Sequence, residues 1–245
     1  MTRSRLIDEI ILIVLLIGVS TFPVNYFVHD MFWYYTIEAL LMLAVYLFLL
    51  FYEKRNPQIN PIMGRFNLTN FLWLLPAFII CGSNFFYTLT GNTLFSPSFE
   101  LYSIPHAFFI IFNVLVEEII FRKHLLGNLH HPKKIIRITI AAAIFGACHL
   151  TTFLSTFNPY DLIVVAYAFG LGMVLGLFYV YTNSLIACIA LHLSFNMIND
   201  YLFGYMFLVA AGDIWYYLIN LFVAIGVGIY LAIIYFFRLR DSWTY

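Results

Sequence analysis

The chain has 245 residues, 63% of them hydrophobic and 10% charged, at a mean hydropathy of +0.92; soluble domains run at roughly 45–50% apolar and about 25% charged. That balance excludes a soluble globular domain and predicts an all-α polytopic membrane bundle with the lipid bilayer as its surroundings and no nucleic acid as partner. The net charge of zero carries little information, because in a membrane protein the positions of the charges matter more than their sum.

Apolar runs of spanning length, about 20 residues, fall near 9–28, 32–52, 70–90, 106–126, 135–153, 161–182, 184–202 and 214–237. They predict about eight transmembrane helices in one integral membrane domain over residues 1–245. Arg3 and Arg5 precede the first run, but no small-x-small cleavage site follows it, so it reads as an uncleaved span. The connector Glu53 to Asn70 carries Pro57 and Pro61, and the loop Thr90 to Pro105 carries Pro97 and Pro105, which discourage helix.

The 12 Lys and Arg residues test this count. With a cytoplasmic amino terminus, Arg3, Arg5, Lys54, Arg55, Arg65, Arg122, Lys123, Lys133, Lys134, Arg137, Arg238 and Arg240 all fall on the inner side, while Asp30, Glu100, Asp161 and Asp213 fall outside. This is the positive-inside pattern, and it puts both termini in the cytoplasm. Trp33 and Trp215 fall at outer helix ends and Trp73 and Trp243 at inner ones, where amphipathic rings prefer to sit.

Smaller features have ordinary readings. Cys81, Cys148 and Cys188 lie within apolar runs and form neither a disulfide framework nor a paired-cysteine metal site. Gly172 and Gly176 make a small-xxx-small face for close helix approach. Asn84, Asn113 and Asn220 suit interhelical hydrogen bonds, and Glu38 lies about 9 Å from an outer helix end, within reach of water. Solvation accounts for His29, His106, His124, His130 and His131, which lie in loops or near helix ends.

The fourth run is different, because Glu117, Glu118 and Arg122 are embedded in it. Each charged residue costs roughly 2.5–3.5 kcal/mol to insert at mid-membrane, about 9 kcal/mol for three, unless it pairs or faces a polar cavity. Two more polar motifs accompany it: Phe145-Gly-Ala-Cys-His149 on the fifth run and His192-Leu-Ser-Phe-Asn196 on the seventh. At 1.5 Å per residue, Glu117 lies about 16 Å below its outer end, and His149 and His192 about 21 and 12 Å above their inner ends. In a core about 30 Å thick all three converge near the middle.

Helical geometry sorts the groups further. Glu118 and Arg122, four apart, share a face and suit an ion pair. Glu117 points about 100° away, leaving a free carboxylate whose i−4 neighbour, Asn113, is placed to orient it. His192 and Asn196 share a face and present two donors toward one point. A free carboxylate, a histidine and paired donors are the minimum kit for amide hydrolysis: a base for water and donors for the oxyanion.

The motifs E-E-x-x-x-R, F-x-x-x-H and H-x-x-x-N, in this order across residues 106–200, resemble those of the CPBP family (CAAX-protease and bacteriocin-processing, or Abi, intramembrane endopeptidases). The resemblance implies a peptide or membrane-protein substrate and an integral protein of a bacterial cell membrane. It implies Glu117 as general base, His149 helping to hold the water, His192 and Asn196 as oxyanion donors, and Glu118 with Arg122 bracing the site. No cofactor is favoured on this reading. The family is also labelled metalloprotease, and Glu117, His149 and His192 are a possible His₂Glu zinc set as runner-up, although no H-E-x-x-H pair is present. Cys148 as nucleophile is a third option. Outside proteolysis, intramembrane Glu and His residues also build proton-coupled transporters, and a non-catalytic bacteriocin-immunity protein is a further alternative.

Overall fold

The computed structural model describes residues 3–22, 24–56, 66–81, 103–157, 161–202 and 214–234, and every regular element among them is helical. In chain order these are α1 (Arg3–Ser20), α2 (Met31–Arg55), α3 (Leu68–Cys81), α4 (Ser103–Glu118, continuing as a π-helix over Ile119–Leu126), α5 (Lys134–Cys148), α6 (Leu150–Thr156), α7 (Asp161–Thr182), α8 (Leu185–Leu202) and α9 (Ile214–Ile234). A 3₁₀ turn, Val24–Tyr26, follows α1. Residues Met31–Arg55, Ser103–Leu126 and Val164–Thr182 are long and apolar enough to cross a membrane. Leu40, Leu47, Phe51, Ile79 and Phe108 are exposed on the bundle surface, where lipid rather than water is their natural solvent. The chain is an integral membrane protein.

Helix ends are set by local chemistry. Asp30 caps α2 by accepting from the amides of Phe32 (2.9 Å) and Trp33 (3.2 Å). Asn67 caps α3 by accepting from the Asn70 amide at 3.0 Å, while its own N–H donates to the Thr182 carbonyl at 3.0 Å. The Asn70 side chain donates to the Tyr181 carbonyl at 2.8 Å. The last carbonyls of α7, left without helical partners, are thus satisfied by the start of α3. Asn183, at φ 56°, reverses the chain, and Ser184 caps α8 through the Ala187 amide at 3.1 Å. This two-residue connection makes α7 and α8 neighbours and fixes the height of His192.

Packing pairs α2 with α4, α5 with α7, α4 with α8, and α3 with α7 and α9. The α5–α7 contact is tight: a Cβ on Gly172 would meet the Ala142 backbone at 3.1 Å, and one on Gly176 would meet Ile138 Cγ2 at 2.8 Å. The small-xxx-small face does its packing against α5. Gly146 of α5 answers it, with the Val165 carbonyl oxygen 3.1 Å from where its Cβ would lie. The tight seam holds the fifth and sixth apolar runs in fixed register.

Several expectations need correction. The fifth run is not one continuous helix, because α5 stops at Cys148 and α6 begins at Leu150. Glu38, His106 and His124 are buried, not solvated, with relative exposures of 4%, 4% and 0%. Glu53 belongs to α2 and not to the connector. The expected third span ran to residue 90, of which the part beyond Cys81 lies outside the described residues, as do Asn84, Arg65, Glu100, Asp213, Arg238, Arg240 and Trp243.

Candidate active site

Glu117 and Glu118 close the α-helical part of α4, and the π-helix begins at the next residue. Such wider turns are rare and occur mostly at functional sites. Glu118 and Arg122 are both fully buried and paired: Arg122 donates through Nε to Oε2 at 3.1 Å and through Nη2 to Oε1 at 3.4 Å. Arg122 also sets its guanidinium 5.2 Å from the centroid of the Phe145 ring. Its Nη1 has no acceptor among the described residues.

Glu118 has a second partner from another helix. His192 Nδ1 lies 2.9 Å from its Oε1. Because Arg122 is always charged, Glu118 is ionised beside it, so His192 must donate its Nδ1 proton. The other ring nitrogen, Nε2, faces Glu117 Oε2 at 3.8 Å, beyond direct hydrogen-bond reach. His192 therefore points from a fixed carboxylate toward a second one.

Glu117 has a different environment. Its side chain keeps 13% exposure, and its close partner is the neutral Asn113 amide, which donates to Oε1 at 2.9 Å. The two adjacent carboxylates thus separate into one saturated by charge and one left under-paired.

His149 owes its placement to a helix break of its own making. In a continuing helix its N–H would donate to the Phe145 carbonyl. Instead the ring Nδ1 takes that carbonyl at 2.9 Å, and the backbone N–H turns to the Gly146 carbonyl at 3.0 Å. This is a side chain competing for the helix's own acceptor. A carbonyl only accepts, so Nδ1 carries the proton, and in the neutral ring Nε2 keeps a lone pair able to accept from water.

Phe145 joins these parts. Its buried ring packs edge-on against Phe121 at 5.0 Å, His149 at 5.0 Å and His192 at 6.1 Å. Sequence reasoning gave it no role, although its i−4 spacing from His149 was the available signal. The fold therefore joins Glu117, Glu118, Arg122 and His192 through polar contacts, and His149 through Phe145. Asn196 lies half-buried one turn beyond His192 on α8, with no hydrogen bond to either carboxylate among the described residues.

The zinc set fits poorly. Among the described residues no three His, Cys, Asp or Glu side chains are gathered closely enough to hold a metal ion. Cys148 is half-buried and takes no part in the polar contacts.

All three motifs lie inside residues 99–198, which match the family model of type II CAAX prenyl endopeptidase Rce1-like proteins. No curated protein and no solved structure matches the chain. Four of the motif residues gather around one buried ion pair, and the segment that carries all three motifs, residues 99–198, is similar to the Rce1-like type II CAAX prenyl endopeptidases.

Proposed function

We propose that the protein is an intramembrane endopeptidase in which Glu117 activates water. The observation that carries this reading is the unequal pairing of the two glutamates: Glu118 is held by Arg122 and His192, whereas Glu117 has one neutral donor and partial exposure. An under-paired carboxylate keeps an oxygen open to take a proton from water. Glu117 and His149 Nε2 hold the attacking water, Glu117 takes its proton, and the oxygen adds to the scissile carbonyl. Asn196 Nδ2 and His192 donate to the developing oxyanion. Glu117 then returns its proton to the leaving amine.

The tautomer refines the part of His192. With Nδ1–H committed to Glu118, Nε2 donates only when the ring is an imidazolium. Glu118 and Arg122 act as positioning residues for His192.

The domain assignment also stays with this reading: one membrane domain over residues 1–245, crossing eight times with both termini cytoplasmic. Reporter fusions after Arg65 and Lys134 are expected to signal cytoplasm and fusions near Glu100 and Asp213 the outside. A cytoplasmic signal at Glu100 refutes the eight-crossing topology.

The function is tested by incubating the purified full chain with membrane-anchored peptides, prenylated at a C-terminal CAAX sequence or not, and mapping products by mass spectrometry. A single peptide-bond cleavage that survives exhaustive chelation is expected. Cleavage lost on chelation and restored by zinc would reinstate the metal mechanism, and uncleaved peptide in every case would count against a protease.

A further inference from the structure

The stretch from Lys123 to Arg137, joining α4 to α5, holds four Lys and Arg, three His and no Asp or Glu. Lys123 is neutralised by Glu53 of α2 at 2.6 Å. Beyond it, Gly127, Leu129, His130, His131, Pro132 and Arg137 line a cavity of about 430 Å³ with no carboxylate in its wall among the described residues.

Arg137 is the telling residue. Its guanidinium is anchored by one long bond, Nη1 to the Leu129 carbonyl at 3.4 Å, while its Nε is buried without an acceptor among the described residues. A buried donor left unsatisfied is costly, more so when charged, and a guanidinium with unspent donors matches phosphate oxygens in planar, paired geometry. His131 adds a donor. Its Nδ1 accepts from the Lys133 amide at 3.0 Å, so the neutral ring carries its proton on Nε2. His130 donates Nδ1–H to the Asn128 carbonyl at 2.6 Å, and its Nε2 becomes a second donor on protonation.

We propose that this cavity binds the phosphate of an anionic phospholipid headgroup. The inference rests on the membrane-spanning reading, which puts the α4–α5 junction at the cytoplasmic headgroup level, where basic pockets beside helix ends meet anionic lipid. Leu129 and Pro132 give the cavity an apolar wall suited to the glycerol end of a lipid. Proteolysis itself is not required for binding, so the two readings fail separately.

The test uses the purified full chain in detergent micelles doped with phosphatidylglycerol, phosphatidylcholine or inorganic phosphate at equal concentration, reading the thermal unfolding midpoint. A ligand that binds only the folded state raises that midpoint. Phosphatidylglycerol alone is expected to do so, and Arg137→Gln to weaken its apparent affinity about tenfold or more, as loss of a charged hydrogen bond implies. His131→Gln, at a half-buried position, is expected to weaken it less, and Lys54→Gln, an exposed cation at another helix end, to leave it unchanged. Equal stabilisation by phosphatidylcholine overturns the proposal, as does equal stabilisation by inorganic phosphate, which would make this a soluble-anion site. Unchanged affinity in Arg137→Gln also overturns it, and if that variant does not fold, unchanged affinity in His131→Gln does.

Discussion

The bundle contains two buried polar clusters that share α4 but are built to opposite ends. Near the inner end, Glu53 accepts from Lys123 at 2.6 Å and faces His124 Nε2 at 3.1 Å. Glu9 accepts from Asn128 at 2.8 Å and lies 3.7 Å from His124 Nδ1. Glu53 there is held by a charged partner from another helix, whereas Glu9 has one neutral amide donor and keeps its Oε2 buried without a partner among the described residues; the cluster ties α1 and α2 to the π-helical stretch. In the proposed catalytic cluster Glu118 is held as Glu53 is, while Glu117, with one neutral amide like Glu9, keeps 13% exposure where Glu9 keeps 4%. Charge-paired or enclosed carboxylates hold helices together; Glu117, under-paired and partly exposed, is the candidate for chemistry.

The largest effect that sharpens this contrast is expected at Arg122. Its removal strands Glu118 in the core, and breaking a buried pair costs roughly 3–5 kcal/mol. Arg122→Ala should therefore lower both folded yield and activity, as measured by thermal unfolding and peptide cleavage. A stable but inactive variant would move Arg122 from brace to reacting group.

Asn196→Ala comes next. Loss of one oxyanion donor costs about 10²–10³ in turnover, or roughly 2.7–4 kcal/mol, with little change in KM because the charge exists only after attack. Steady-state kinetics that raise KM and leave kcat alone would make Asn196 a substrate-binding group.

The smallest effect separates the inner cluster from the site. Glu53→Gln leaves Lys123 and His124 short of their partner, a loss of about 1–3 kcal/mol, and should lower the thermal midpoint while activity per folded molecule is unchanged. A fall in kcat at constant stability would show that the inner cluster positions the catalytic one.

The reason one cluster was legible and the other was not lies in sequence separation. Glu118–Arg122 and Asn113–Glu117 are each four residues apart, and helical geometry alone pairs them. The inner partners lie 70, 71 and 119 residues apart, so His124 reads as a solvated helix-end residue and Glu53 as the start of the connector, with nothing local to pair Glu9. The break at His149 was hidden for another reason. Leu150 and Phe153 extend the expected run to residue 153, while the helix breaks where the imidazole competes for the Phe145 carbonyl. The π-helical turn after Glu118 likewise leaves no mark in hydrophobic periodicity. What composition supplied directly was the all-helical membrane class, and what local spacing supplied was the difference between Glu117 and Glu118.

That difference is most directly tested by parallel Gln substitutions in the purified full chain, with thermal unfolding and peptide cleavage measured on the same samples. Glu117→Gln, which keeps the Asn113 contact geometry and removes only the base, is expected to unfold at the wild-type midpoint and to cleave nothing. Glu118→Gln is expected to lower the midpoint by stranding Arg122. A Glu117→Gln protein that still cleaves, or that unfolds early while Glu118→Gln stays stable and inactive, would contradict the assignment of base and brace.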